Sequence, residues 1–198
     1  MRETYEWCDI WWDNPEDTSI PRVLLIGDSI SVGYTKPVTQ RLEGLARVDR
    51  LGTSKCIVDK GFFSETDYVL GEYSYKAIHF NNGLHGDHLS DFDYETGLRT
   101  CVARLKQAVG EVPLIWASST PVTVQGNPLV LDTKINPQVI SRNLAALKVM
   151  GEFGIAVNDL YAVALEHPAL RVPDGYHFLP EGYEVLADAV AGVLKTYL

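Results

Sequence analysis

Short, unbroken apolar runs recur along this chain, separated by longer stretches in which apolar residues return every three or four positions. The first run, Val23-Leu24-Leu25-Ile26, has the length and uniformity of a strand buried on both faces, and Gly27 and Asp28 end it. Similar runs at 45–48, 76–80, 113–117 and 155–157 predict four more strands. Pro37 fits the first turn of a helix reaching 43, with Gly44 at its end. The stretch 62–75 reads as a short helix or a partly buried loop. Leu98, Cys101, Val102, Leu105, Ala108 and Val109 share one face of a helix over about 94–109, which Gly110 stops. Asn136-Pro137 starts a helix whose core face is Val139, Ile140, Leu144, Leu147 and Met150, ending at Gly151. A last helix, 180–196, turns Leu186, Ala189, Val190, Val193 and Leu194 inward, and 118–135 reads as a polar loop.

Strands alternating with helices predict an α/β fold. The simplest arrangement is a three-layer α/β/α sandwich around a five-stranded parallel sheet in the flavodoxin-like strand order. With 198 residues, 46% of them hydrophobic and 22% charged, the chain has material for one core. One domain is expected over 21–198. Before it, 1–20 is an aromatic, acidic arm packed on that core, with Trp7, Trp11 and Trp12 as a clamp, a sugar-stacking platform or a partner surface.

The net charge of −9 and pI of about 5.0, with Lys and Arg scattered singly, leave nothing to neutralise a phosphate backbone, so nucleic acid is not an expected partner. No apolar run nears the roughly 18 residues of a membrane span, and the first nine residues carry no basic-then-apolar leader. A soluble protein is expected, cytoplasmic or secreted with its leader removed. Cys8, Cys56 and Cys101 are too far apart for a disulfide framework or a CxxC zinc site.

Ser29 follows the first strand at its carboxyl end, where open α/β sheets place their chemistry. Asn81 and Asn82 follow the third strand. Asp174 stands three residues ahead of His177, a spacing that lets a carboxylate fold back onto the imidazole Nδ1 and leave Nε2 to accept a proton. A serine at the first strand end together with such a pair before the last helix points to nucleophilic acyl transfer. His79, His85, Asp87 and His88 are the competing raw material for a metal site, without a second cluster to complete it.

On these residues the chain resembles the SGNH hydrolases, the GDSL esterase and lipase group, from Val23 to Ala191. Gly27-Asp28-Ser29-Ile30 resembles the nucleophile block and Asp174-Gly175-Tyr176-His177 the terminal block. Where the family has Gly-x-Asn-Asp, this chain has His79-Phe80-Asn81-Asn82, and Leu51-Gly52-Thr53-Ser54 stands for the glycine block. No Gly-x-Ser-x-Gly elbow surrounds Ser29, which argues against the α/β-hydrolase fold.

The resemblance implies catalysis by Ser29, His177 and Asp174. It implies an oxyanion hole of the Ser29 N–H, Gly52 and Asn81, with Ser54 the alternative to Gly52 and Asn82 the second choice after Asn81. Asp28, Asn82, His85 and Tyr176 are the candidate substrate contacts, and no metal or organic cofactor is needed. The expected reaction is hydrolysis of a short-chain ester on a small molecule or saccharide, an O-acetyl carbohydrate first. A lysophospholipase or thioesterase, a catalytically silent carbohydrate-binding module and a metal-dependent phosphoesterase using Asp28, Asn81 and the histidines are the alternatives. The sequence leaves the oligomeric state open.

Overall fold

A computed structural model of the chain describes residues 5–198. Strand β2 (Arg22–Gly27) is fully buried. Its alternate side chains serve opposite layers, Val23 and Leu25 one core and Leu24 and Ile26 the other, which is why the run has no polar interruption. Parallel to it lie β3 (Arg47–Thr53), β4 (Ala77–Phe80), β5 (Leu114–Ala117) and β8 (Ala156–Asn158), in the order β3-β2-β4-β5-β8. This is the expected flavodoxin-like order.

Among the described residues the sheet has six strands, not five. The extra strand, β1 (Cys8–Trp11), pairs antiparallel with β3, Cys8 opposite Thr53 and Trp11 opposite Arg50. The aromatic arm is therefore an edge strand. It shows no alternation because its residues are all partly or largely exposed.

Helices α1 (Ser29–Arg41), α5 (Leu160–Leu165) and α6 (Pro180–Lys195) cover one face, and α2 (Lys60–Glu72), α3 (Asp91–Val109) and α4 (Asn136–Phe153) the other. The sequence predicts no helix at α5, and four further details differ from it. First, α1 starts at Ser29, and Pro37 lies inside it; the missing N–H costs the helix one hydrogen bond. Second, β3 starts later and runs to Thr53, because Asp49, fully buried against Arg22 at 2.7 Å, interrupts its apolar pattern. Third, the expected loop after β5 holds a hairpin, β6 (Thr123–Val124) with β7 (Asn127–Leu131). Fourth, on α4 only Val139 and Met150 of the expected core face are buried, joined by Ala146 and Val149, while Ile140, Leu144 and Leu147 are exposed.

Candidate active site

β2 ends at Gly27, and α1 begins two residues later. The Asp28 carboxylate caps that helix, accepting the Ile30 N–H at 2.9 Å. Ser29 is thereby fixed as the first helical residue, and its own N–H has no carbonyl within the helix to bond. Asp28, expected as a substrate contact, is buried and serves as this cap.

The loop before α6 delivers the other two groups. His177 Nε2 lies 2.8 Å from Ser29 Oγ, and His177 Nδ1 lies 2.7 Å from Asp174 Oδ2. Asp174 Oδ1 accepts the backbone N–H groups of Tyr176 at 2.8 Å and His177 at 2.9 Å. Partial burial disfavours the Asp174 carboxylate, but those two N–H groups and the imidazole outweigh it and hold the carboxyl below its ordinary value. An ionised Asp174 keeps the proton on Nδ1, so Nε2 presents a lone pair to the serine hydroxyl. Asp174 and His177 are 46% and 40% exposed, so the pair lies on an open rim.

The hairpin holds this loop. The Thr123 N–H donates to the Gly175 carbonyl at 2.9 Å and the Gly126 N–H to the Pro173 carbonyl at 2.8 Å. Gly175 has φ +95° and packs so tightly that a Cβ there would stand 2.7 Å from the Thr123 carbonyl oxygen. Arg171 braces the same turn, donating to the Pro121 carbonyl at 2.6 Å and lying 4.6 Å over the Phe178 ring. The Tyr176 N–H belongs to the Asp174 turn. Its phenol is pushed above its ordinary pKa by burial and by Asp87, Asp132 and Asp174.

The two asparagines face different neighbours. Asn81 Nδ2 donates to the Ala117 carbonyl at 2.7 Å and to Ser119 Oγ at 3.0 Å, which commits both amide hydrogens on the β5 side. Asn82 Nδ2 donates to the Lys55 carbonyl at 2.8 Å, on the loop that follows β3, and keeps one hydrogen. The amide with a donor to offer is therefore Asn82, not Asn81. The glycine block changes as well. The Ser54 N–H donates to the Trp7 carbonyl, and hydrogen-bonded pairs alternate along an antiparallel ladder, so Gly52, opposite Asp9, also turns its N–H toward β1 and away from Ser29.

Arg142 gave no sequence signal beyond a lone cation on an apolar helix face. It is 2% exposed and donates to the carbonyls of Gly83, His85 and Gly86 at 2.9, 3.1 and 2.6 Å, pinning the loop that follows Asn82. His85 is partly buried in that loop. His79 is buried beneath the sheet, its Nε2 3.2 Å from Asn158 Nδ2, and burial alone takes its pKa down to about 3. His88 is exposed, and among the described residues no three His, Cys, Asp or Glu side chains converge to hold a metal ion. Trp11 pairs opposite Arg50, two residues before the end of β2, and Trp12 packs edge-on against Tyr73 at 5.2 Å, whereas Trp7 lies level with that end, its carbonyl accepting the Ser54 N–H.

The chain matches no family model and no curated protein. Solved structures resemble it closely in fold. A lipase/acylhydrolase from Enterococcus faecalis superposes with a TM-score of 0.73 at 15% identity, covering 89% of this chain and 96% of its own. The native aryl esterase of M. smegmatis gives 0.73 at 14% identity, covering 90% and 100%. An acetylxylan esterase from Geobacillus stearothermophilus gives 0.69 at 17% identity, covering 86% and 92%. Among the described residues no helix is long and apolar enough to cross a membrane.

Proposed function

We propose that this chain, whose fold is that of the GDSL-type SGNH acylhydrolases, is a carboxylic ester hydrolase working through an acyl-enzyme on Ser29. The observation that carries the reading is the His177 Nε2 to Ser29 Oγ contact of 2.8 Å, with Asp174 2.7 Å behind the imidazole. As Ser29 Oγ attacks the ester carbonyl carbon, its proton passes to Nε2, and Asp174 stabilises the imidazolium. The Ser29 N–H and the remaining Asn82 amide hydrogen hold the developing oxyanion. Collapse expels the alcohol with the proton from His177. Water then attacks the acyl-enzyme, with His177 again taking a proton, and the carboxylic acid leaves.

The substrate in this reading is a short acyl ester, an O-acetyl group on a carbohydrate first. One observation favours it: the fold is shared with an acetylxylan esterase. Trp11 and Trp12 lend no support, since they lie below the rim.

The test is turnover of para-nitrophenyl acetate, butyrate and octanoate, then of acetylated xylo-oligosaccharides, by wild type and Ser29→Ala. Acetate should be the best aryl ester, and Ser29→Ala should lose on the order of 10⁴-fold or more in kcat. Ser29→Ala turning over at the wild-type rate would overturn the mechanism. A preference for octanoate would overturn the short acyl group alone.

A further inference from the structure

The segment from 81 to 90 has no regular structure, yet it carries the Asn82 amide. Such a segment has no ladder to satisfy its carbonyls, so groups outside it must. Arg142 is the main one. Its Nη1 donates to the carbonyls of Gly83 and His85 at 2.9 and 3.1 Å, and its Nη2 to that of Gly86 at 2.6 Å. A guanidinium is a rigid planar fork of five donors, so it can gather three carbonyls and fix them relative to one another. Burying one is costly, and the other inward residues of α4, Val139, Ala146 and Val149, are apolar. A second contact reaches Asn82 itself. Tyr94, on α3, donates its hydroxyl to the Asn82 carbonyl at 3.0 Å, and the Arg142 Cζ lies 4.9 Å from the centroid of its ring. Asn82 is thus held by its carbonyl at Tyr94, by its side chain at the Lys55 carbonyl, and through Gly83 at Arg142.

We propose that Arg142 is a positioning residue for the reaction, holding the Asn82 amide where the oxyanion forms, with Tyr94 as the second brace. This role rests on the acyl-enzyme reading above and adds two residues which that reading does not use. At 2% and 1% exposed, neither side chain can touch a substrate. Both act through the backbone of the loop. Consecutive Cα atoms are joined at a fixed 3.8 Å, so a loop released at Gly83 carries Asn82 with it. A displacement of about 1 Å in a group of this kind costs about 10²-fold in rate. Binding of the ester ground state makes no use of the oxyanion donor, so the loss belongs in kcat and not in KM.

Steady-state kinetics on para-nitrophenyl acetate, with urea midpoints alongside, test this on Arg142→Met, Tyr94→Phe, Asn82→Ala and the two double variants that contain Asn82→Ala. Arg142→Met should lower kcat about 10²-fold and leave KM near that of wild type. Tyr94→Phe removes one hydroxyl and keeps the ring beside the guanidinium, so it should lower kcat about tenfold, the rate equivalent of about one hydrogen bond. It decides the matter by itself where Arg142→Met does not fold. In the Asn82→Ala background both substitutions should change kcat by less than about a factor of two, because the amide they position is gone. Full-size losses in that background overturn the proposal, as do losses that appear in KM instead of kcat. So does a wild-type kcat in Arg142→Met, in Asn82→Ala, or in Tyr94→Phe where Arg142→Met does not fold. Ser29→Ala keeps the two readings apart. If it is as active as wild type, the acyl-enzyme and the positioning role fall together. If it is inactive while the Arg142 and Asn82 losses simply multiply, the positioning role falls alone.

Discussion

At the scale of single residues, the two adjacent asparagines separate two jobs. Asn81 gives both amide hydrogens to Ala117 and Ser119, tying the ends of β4 and β5 together, and is 7% exposed. Asn82 gives one to Lys55 and has one left. On the proposed reaction, Asn82→Ala should lower kcat about 10² to 10³-fold with little change in KM, since its hydrogen bond strengthens only as the oxyanion forms. Asn81→Ala should act on stability, by about 1–3 kcal/mol for the carbonyl left without its donor. Steady-state kinetics beside urea melts of both variants decide it; a kcat loss confined to Asn81→Ala would return the oxyanion role to that residue. The sequence pattern favours Asn81, because it carries no information on which neighbour each amide faces. Which neighbouring strand a side chain faces depends on the order of strands in the sheet, and a two-residue repeat of the same amide carries no such label. The Asp174-His177 contact was legible because it is made within one turn, without reference to any other element.

At the scale of elements, the β6–β7 hairpin keeps the acid and base in place through the Pro173 and Gly175 carbonyls. Gly175→Ala adds a methyl group 2.7 Å from the Thr123 oxygen at φ +95°, so the loop must move off the hairpin. A displacement of about 1 Å in a catalytic group costs about 10²-fold in rate. Gly126→Ala is the control, because φ there is also positive at +83° but nothing lies within 4 Å of the added carbon. Both variants should lose stability, about 1–2 kcal/mol from the left-handed conformation. Only Gly175→Ala should lose turnover of para-nitrophenyl acetate by about two orders of magnitude. Equal turnover losses would mean that backbone strain, not the contact with the hairpin, is responsible. The hairpin escaped the sequence reading because β6 has two residues, too few for any periodicity. The start of α1 was misplaced because Pro37 is a helix-start signal that here stands in the interior, while Asp28, the true cap, reads as part of the strand-end turn. The α4 periodicity was legible but its faces were not, since two apolar stripes on one helix look alike until the sheet selects one.

At the scale of the whole molecule, one buried ion pair joins β2 to β3 and holds the turn that follows the edge strand. Arg22 Nη1 donates to Asp49 Oδ1 at 2.7 Å and to the Asp13 carbonyl at 3.1 Å, and its Nη2 donates to the Asn14 carbonyl at 2.8 Å. The guanidinium also lies 4.2 Å from the Tyr73 ring centroid, at the end of α2. Strands β2 and β3, the turn after β1 and the C-cap of α2 thus meet at a residue that is 6% exposed, with a carboxylate that is fully buried. Desolvation outweighs the Asp13 N–H and the Arg22 charge and raises the Asp49 carboxyl above its ordinary 3.8. For an acid, a raised folded-state pKa means that the fold gives up stability as pH climbs from the unfolded value through the folded one. Arg22→Met removes the compensating cation and raises the folded pKa further. At pH 7 it should cost about 3–5 kcal/mol, the cost of an unpaired buried charge. The cost should shrink at pH 5, where protonating Asp49 relieves the charge, and the double variant Arg22→Met/Asp49→Leu should recover most of it at both pH values. Urea midpoints of the three proteins at the two pH values measure this. A cost that is equal at pH 7 and pH 5 would assign the effect to the lost carbonyl and ring contacts instead of the buried charge.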